Sequence, residues 1–150
     1  MTLLHAAGPI ATSIGGSIAT RRGRPWYRQL RKPAFTPPGW LFGPVWTGLY
    51  TSMIWSAWRV TARPHSAWRT RALALWWGQL ALNAAWSPLF FGARKKRLAL
   101  ADLALLLPTV GAYIWAASKV DKPAAWMMSP YLGWSAFAAG LNEELVRLNR

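Results

Sequence analysis

Apolar and polar positions along this chain come in long blocks, not in short alternations. From Ala34 to Trp58 no side chain carries a charge, and the same holds from Ala72 to Ala93 and from Pro123 to Asn142. Leu3 to Thr20 is uncharged apart from His5, and Leu98 to Ser118 holds a single acid, Asp102. Roughly 20 apolar residues in a helix cross about 30 Å of hydrocarbon. The blocks therefore predict five spanning helices, near 3–20, 40–60, 70–92, 98–118 and 124–146. The second should start after Pro37-Pro38, and the last should run on into the polar tail from Glu143 to Arg150. Period-two alternation is absent, which argues against a membrane barrel. The fold class is all-α: one membrane-embedded bundle of five transmembrane helices, with a lid-like loop over about 21–39.

Charge orients the bundle. Of 150 residues, 18 are Lys or Arg and 4 are Asp or Glu, a formal net charge of +14. A surplus of that size is also a footprint for nucleic acid. Here the cations sit in short clusters between apolar runs, where no folded face gathers them, so no nucleic-acid partner is expected and the lipid bilayer is. Twelve lie in the 21–33 stretch, the 94–97 cluster and the tail, and six lie in the two alternate connections. The positive-inside rule then puts the C-terminus in the cytoplasm. Charged residues make up 15% of the chain, against about 25% in soluble proteins. No Lys or Arg precedes Arg21, so the first run reads as a retained helix and not as a cleaved signal peptide. The absence of Cys excludes disulfides, thiolate metal sites and a cysteine nucleophile.

Each span holds one proline: Pro9, Pro44, Pro88, Pro108 and Pro130. Membrane bundles tolerate proline because neighbours re-satisfy the freed backbone. These are either ordinary membrane and first-turn prolines or bends that open a cavity. Small residues recur every fourth position at Ala7, Ala11, Gly15 and Ala19, beside Gly8, Thr12 and Gly16. Such a stripe lets backbones approach closely, and is expected to pack on another span or on a second protomer. Among the 12 Trp, Trp26, Trp40, Trp58, Trp68 and Trp126 fall near span ends, as interface anchors do. Trp46, Trp86, Trp115 and Trp134 lie deeper.

Polar side chains in hydrocarbon are costly and turn inward. Gln79 and Asn83 are four apart, and Trp86 and Phe90 continue their face. Trp46, Tyr50 and Met53 share a face of the second span. Trp134, Phe137 and Leu141 share one of the last, with Asn142 at its end. Together these faces can line a flat-walled aromatic pocket, suited to a large planar apolar ligand held by stacking and a few hydrogen bonds. The alternative for Gln79 and Asn83 is hydrogen bonding between helices with no ligand. Asp102 is read as a partner of the helix dipole or of Lys96 or Arg97, ahead of a proton carrier. His5 and His65 lie far apart, and no carboxylate cluster, nucleophile motif or phosphate loop exists. Hydrolytic and metal chemistry are not expected, and no metal site is assigned.

Three ordered motifs carry a resemblance. The first is Trp26-Tyr27, Leu30, Lys32-Pro33, Pro37-Pro38, Trp40, Gly43-Pro44-Val45-Trp46 and Leu49-Tyr50. The second is Gln79-Leu80, Leu82-Asn83, Trp86, Pro88 and Phe90-Phe91-Gly92, with Asp102 downstream. The third is Pro130-Tyr131-Leu132, Trp134, Phe137-Ala138 and Leu141-Asn142. Over nearly its whole length the chain resembles the translocator protein family, also called tryptophan-rich sensory proteins or peripheral-type benzodiazepine receptors. The resemblance implies a five-helix membrane bundle, commonly a homodimer. It implies a pocket under the first loop for protoporphyrin and haem-like tetrapyrroles, with no obligatory cofactor. Benzodiazepine-type and isoquinoline drugs bind that pocket in relatives. Bacterial members are linked to light- and oxygen-dependent porphyrin breakdown and to stress regulation.

Carried onto this chain, the resemblance implies ligand contacts at Trp46, Tyr50, Gln79, Asn83, Trp86, Phe90, Trp134, Phe137, Ala138 and Leu141. Trp26, Tyr27 and Trp40 fall in its lid. Arg28, Arg31 and Lys32 there suit the two carboxylates at a porphyrin's edge. Trp46 and Trp134 match the tryptophans tied to porphyrin breakdown and would be catalytic if that reaction occurs. Animal members carry a cholesterol-recognition motif in the last helix. Here Glu143 and Glu144 follow Leu141-Asn142 and no Tyr follows Tyr131, so cholesterol is not the expected ligand and a bacterial cell membrane is the expected home. A tetrapyrrole sensor or carrier ranks first, a porphyrin-degrading enzyme second and a membrane scaffold third.

Overall fold

The computed structural model describes residues 2–150. Every regular element among them is helical: α1 (Thr2–Arg28), α2 (Gly39–Thr61), α3 (Ala67–Ser87) with a π-helical turn (Pro88–Gly92), α4 (Lys96–Ser118), α5 (Lys122–Met127) and α6 (Ser129–Leu148). Five rods result, because the π turn extends α3 and because α5 and α6 form one rod interrupted at Met128. α2 starts directly behind Pro37-Pro38, whose fixed extended backbone (Pro38 ψ 144°) cannot continue a helix backwards.

The first connection is shorter than the sequence pattern suggests. The basic stretch from Arg21, expected in the loop, is helical as far as Arg28, so α1 is 27 residues long. Straight-chain Arg side chains favour helix, and Gly23 seats this turn against the π turn. A Cβ on Gly23 would lie 2.5 Å from both Cβ and the backbone oxygen of Phe91. Gly8 meets Leu80 and Trp77, and Gly16 meets Ser87. The packing face of α1 is therefore the one carrying Gly8, Gly16 and Gly23. The neighbouring stripe, expected to pack on another span or on a second protomer, faces outward from the bundle: Ala7, Ala11 and Gly15 are exposed, and nothing lies within 4 Å of a Cβ on Gly15.

Pro88 explains the π turn. It has no N–H to give to the carbonyl four residues back, and the ladder widens so that Ala93 N–H donates to Pro88 O at 2.7 Å. Arg94 then adopts a left-handed φ of 58°, which reverses the chain into α4. α4 is the central rod, packed on α3, α6 and α5. Met53, Val60, Trp76, Leu106, Val110, Tyr113, Met128 and Tyr131 meet around it in the main core. The Trp76 indole donates to Met53 O at 3.1 Å, tying α3 to α2.

The outside of the bundle is apolar. Leu3, Ile10, Ile14 and Ile18 on α1, Trp55 on α2, Trp77 on α3 and Leu105 and Trp115 on α4 all face outward. Among the described helices, only Lys96–Ser118 is long and apolar enough by composition to cross a membrane, with an 18-residue stretch of mean hydropathy 1.7 of which 33% is buried. The other rods are rich in Trp, Tyr, Pro and Gly, which hydropathy indices rate low although membranes accept them.

Candidate functional site

Two aromatic clusters sit at the end of the bundle that carries the α1–α2 loop. The first fills the seam between α2 and α6, whose backbones scarcely touch. Trp46 lies 5.4 Å from Tyr50, 6.3 Å from Tyr131 and 6.4 Å from Trp134, ring to ring. Trp134 continues to Phe42 at 5.8 Å and to Phe137 at 5.5 Å, and loop residue Phe35 rests edge-on over Phe137 at 6.1 Å. The second cluster joins α1 to the π turn. Phe90 stacks under Trp86 at 4.9 Å with planes 14° apart, and Trp26 and Tyr27 cover it edge-on.

A short polar relay crosses the floor of the first cluster. Asn83 on α3 accepts from the Tyr50 hydroxyl at 2.9 Å and donates to the Tyr131 hydroxyl at 2.5 Å. One turn earlier, Gln79 is fully buried, and neither its amide nitrogen nor its amide oxygen has a partner. A buried amide left that way costs about 1–3 kcal/mol. Trp86 donates to Asn142 at 3.3 Å, and Asn142 donates to Lys96 O at 2.9 Å, so α3, α6 and α4 are tied beneath the second cluster.

The start of the loop is fastened at Arg31 and Lys32. Arg31 N–H donates to Asn149 Oδ1 and Asn149 Nδ2 donates back to Arg31 O, each at 2.8 Å. Lys32 donates to the Arg28 and Leu30 carbonyls and lies 4.7 Å over the Tyr27 ring. The Arg28 and Arg31 side chains are exposed and enter none of the ion pairs among the described residues.

The structure thus brings Trp46, Tyr50, Asn83, Trp134, Phe137 and Ala138 to the α2–α6 seam and its floor. Trp86, Phe90 and Leu141 belong to the second cluster, with Trp86 bordering both. Phe90 is fully buried. Trp26 and Tyr27 stand on the last turn of α1, not in a loop, and Trp40 points outward from the start of α2. Asp102 does not meet the basic residues expected beside it: among the described residues it enters no ion pair and its Oδ2 has no hydrogen-bond partner. Lys96 and Arg97 precede it by six and five positions, off the three- and four-residue spacing that places helix side chains together. His65 pairs with Arg69 at 2.6 Å, and His5 packs between Trp76 and Trp77. No group of metal-ligating side chains occurs among the described residues.

Sequence reasoning missed Tyr131, Phe42, Phe35 and Asn149 as site residues. Tyr131 precedes Trp134 by three positions and Phe42 precedes Trp46 by four, so helical spacing could have found both. Nothing in the local sequence marks Phe35 or Asn149.

A bundle of five apolar-faced rods, with an aromatic seam between α2 and α6 near the α1–α2 loop, defines an integral membrane protein. The chain belongs to the TspO/MBR family, whose model matches residues 2–148. It is 39% identical over 149 residues to the tryptophan-rich sensory protein of Cereibacter sphaeroides, covering 99% of this chain and 90% of that protein. It is 39% identical over 147 residues to the translocator protein of Ovis aries, covering 94% and 87%. With the tryptophan-rich protein TspO of Archaeoglobus fulgidus it shares 38% over 150 residues, covering 93% and 91%.

Proposed function

We propose that this chain binds a flat, carboxylate-bearing tetrapyrrole of the protoporphyrin type in the α2–α6 seam, as a sensor or carrier. The observation that carries the reading is the seam itself. Two indoles and flanking Tyr and Phe rings bridge helices whose backbones hardly meet, and Gln79, one turn before Asn83 on α3, is buried with both polar atoms of its amide unpartnered. A planar guest slides between such rings, gains stacking on each face, and gives Gln79 the partner it lacks. The exposed Arg28 and Arg31 guanidiniums stand at the loop for the guest's carboxylates. The outward Ala7–Ala11–Gly15 stripe supports a homodimer. The basic bias of the loop end supports a cytoplasmic C-terminus, and the tail sequence supports a bacterial membrane.

The second reading, light-driven oxidative breakdown of the bound ring, rests on the near-perpendicular Trp46–Trp134 pair. Either indole can give an electron to an excited ring, with dioxygen as the oxidant consumed. Titration of protoporphyrin into the detergent-solubilised protein, in the dark and then under illumination with product analysis, tests both. Saturable quenching of Trp fluorescence is expected. Trp46→Phe and Trp134→Phe should each weaken binding about fivefold, the loss of one stacking partner worth ~1 kcal/mol. An absence of quenching removes the binding reading. Light-driven porphyrin loss that is unchanged in both variants removes the degradative one.

A further inference from the structure

The loop end carries a second feature, separate from the aromatic seam. A surface groove of about 360 Å³ lies between the start of α4 and the end of α6, lined by Arg94, Lys95, Lys96, Arg97, Leu98, Val146, Asn149 and Arg150. Five of its residues are cationic and none is acidic. Lys96 is partly engaged, 5.6 Å over the Trp26 ring. Arg94, Lys95, Arg97 and Arg150 are exposed and enter none of the ion pairs among the described residues. The nearest acid–base pair on α6, Glu144 with Arg147, is closed on itself. The Asn149 amide is committed to Arg31 and Leu145, so recognition in the groove falls to the cations. Four unpaired cations held together repel one another, and an anion relieves that repulsion.

We propose that this groove binds the headgroup of an anionic phospholipid of the surrounding membrane. Charge selects the phosphate, and the position selects a lipid over a free anion. Leu98 and Val146 line the groove beside the cations, and Leu98 is the first residue of the apolar run that enters the hydrocarbon. An amphiphile with its phosphate on Arg94, Lys95, Arg97 and Arg150 lays the start of an acyl chain on those two side chains. Basic pockets between membrane helices have the chemistry for such headgroups, with each nearby cation contributing on the order of 1 kcal/mol. α4 adds to the attraction, because its first turn has no side-chain cap and holds no acid.

The test is native mass spectrometry of the full chain released from detergent, titrated with phosphatidylglycerol or with phosphatidylcholine of the same acyl chains. Wild-type protein should hold phosphatidylglycerol about tenfold more tightly than phosphatidylcholine. Lys95→Gln, Arg97→Gln and Arg150→Gln combined should abolish that preference. Arg71→Gln, Lys119→Gln and Lys122→Gln combined remove as much charge from the opposite end and should leave it within about twofold. Inorganic phosphate in millimolar excess should not displace the lipid. Equal binding of the two lipids overturns the proposal, and that arm needs no variant. So does an equal loss in the opposite-end variant, which would make the effect one of net charge. Displacement by inorganic phosphate overturns it in favour of a free-anion site. Thermal melts of both variants, expected to match wild type, confirm that the substitutions leave the fold intact.

Discussion

The two ends of this bundle are built on different principles. At the end away from the α1–α2 loop, a buried acid and a buried hydroxyl are fully paired, although Arg69 Nε is left without a partner. Asp121, its side chain 1% exposed, accepts from Arg59 at 3.0 and 3.2 Å and from Arg63 at 2.8 and 2.5 Å. It also caps α5 by accepting from Ala124 N–H at 2.9 Å. Next to it, Ser56 bonds to both the Tyr113 hydroxyl and Ala124 O at 2.7 Å. Toward the loop end, α2 parts from α6 and aromatic rings bridge the gap, and midway along α3 the Gln79 amide has no partner. A closed hydrogen-bond network fixes one geometry. Rings that bridge two rods, with an unsatisfied amide one turn from the Asn83 relay, are the features the proposed ligand reading rests on. The contrast places the closed Asp121 clamp at one end and, on the reading proposed above, binding at the other.

The sharpest way to break that division is Asp121→Ala. It removes a helix cap and the shared acceptor of two guanidiniums, and should cost about 2–4 kcal/mol, read as a lowered melting temperature in detergent with porphyrin binding by the surviving fold unchanged. pH gives an independent check. Burial would raise this carboxyl, but hydrogen bonds from Arg59, the Ala124 N–H and Arg63 outweigh it and hold it down at about 2. The folded value lies below the unfolded one of about 3.9. The contribution is therefore full above pH ~4 and is lost as pH falls through about 2. Asp121→Asn should lack that acid-sensitive component. A variant that melts like wild type throughout would remove the clamp from the account.

A smaller loss is expected from Ser56→Ala. The change orphans the Tyr113 hydroxyl and the Ala124 carbonyl inside a fully buried site, at about 1–3 kcal/mol. Again the melting temperature should move and ligand affinity should not. Tyr113→Phe should cost less, about 1 kcal/mol, because Ser56 keeps Ala124 O as its acceptor.

How far the sequence reveals each end follows from the range of the interactions. The rods were legible because charge-free runs and Pro37-Pro38 are local signals, and α2 begins where that pair requires. The seam was partly legible because Trp46, Tyr50, Gln79, Asn83, Trp134 and Phe137 keep helical spacing on their own rods. The Asp121 clamp was not, because its two arginines lie 62 and 58 positions away and no local pattern couples them. The same holds for Arg31 and Asn149, 118 positions apart. Arg21 to Arg28 reads as a loop because a cluster of charge ends an apolar run, whereas Gly23 packing on Phe91 carries the helix onward.

Gln79→Leu gives the smallest effect on stability and separates the two ends by sign. At the clamp, removing a polar group leaves its partners stranded, so every substitution there is expected to destabilise. At Gln79 there is no partner to strand. Leucine has a similar volume, suits a fully buried position, and removes two polar atoms that burial penalises. The variant should therefore gain about 1 kcal/mol of stability in the absence of ligand. If the amide is held in reserve for a guest, the same substitution should weaken protoporphyrin binding about fivefold, one hydrogen bond's worth. A melt that rises while affinity falls is the expected pair of results. A melt that falls instead would mean that Gln79 serves the fold, as Ser56 does, and the division between a structural end and a binding end would not hold at this position.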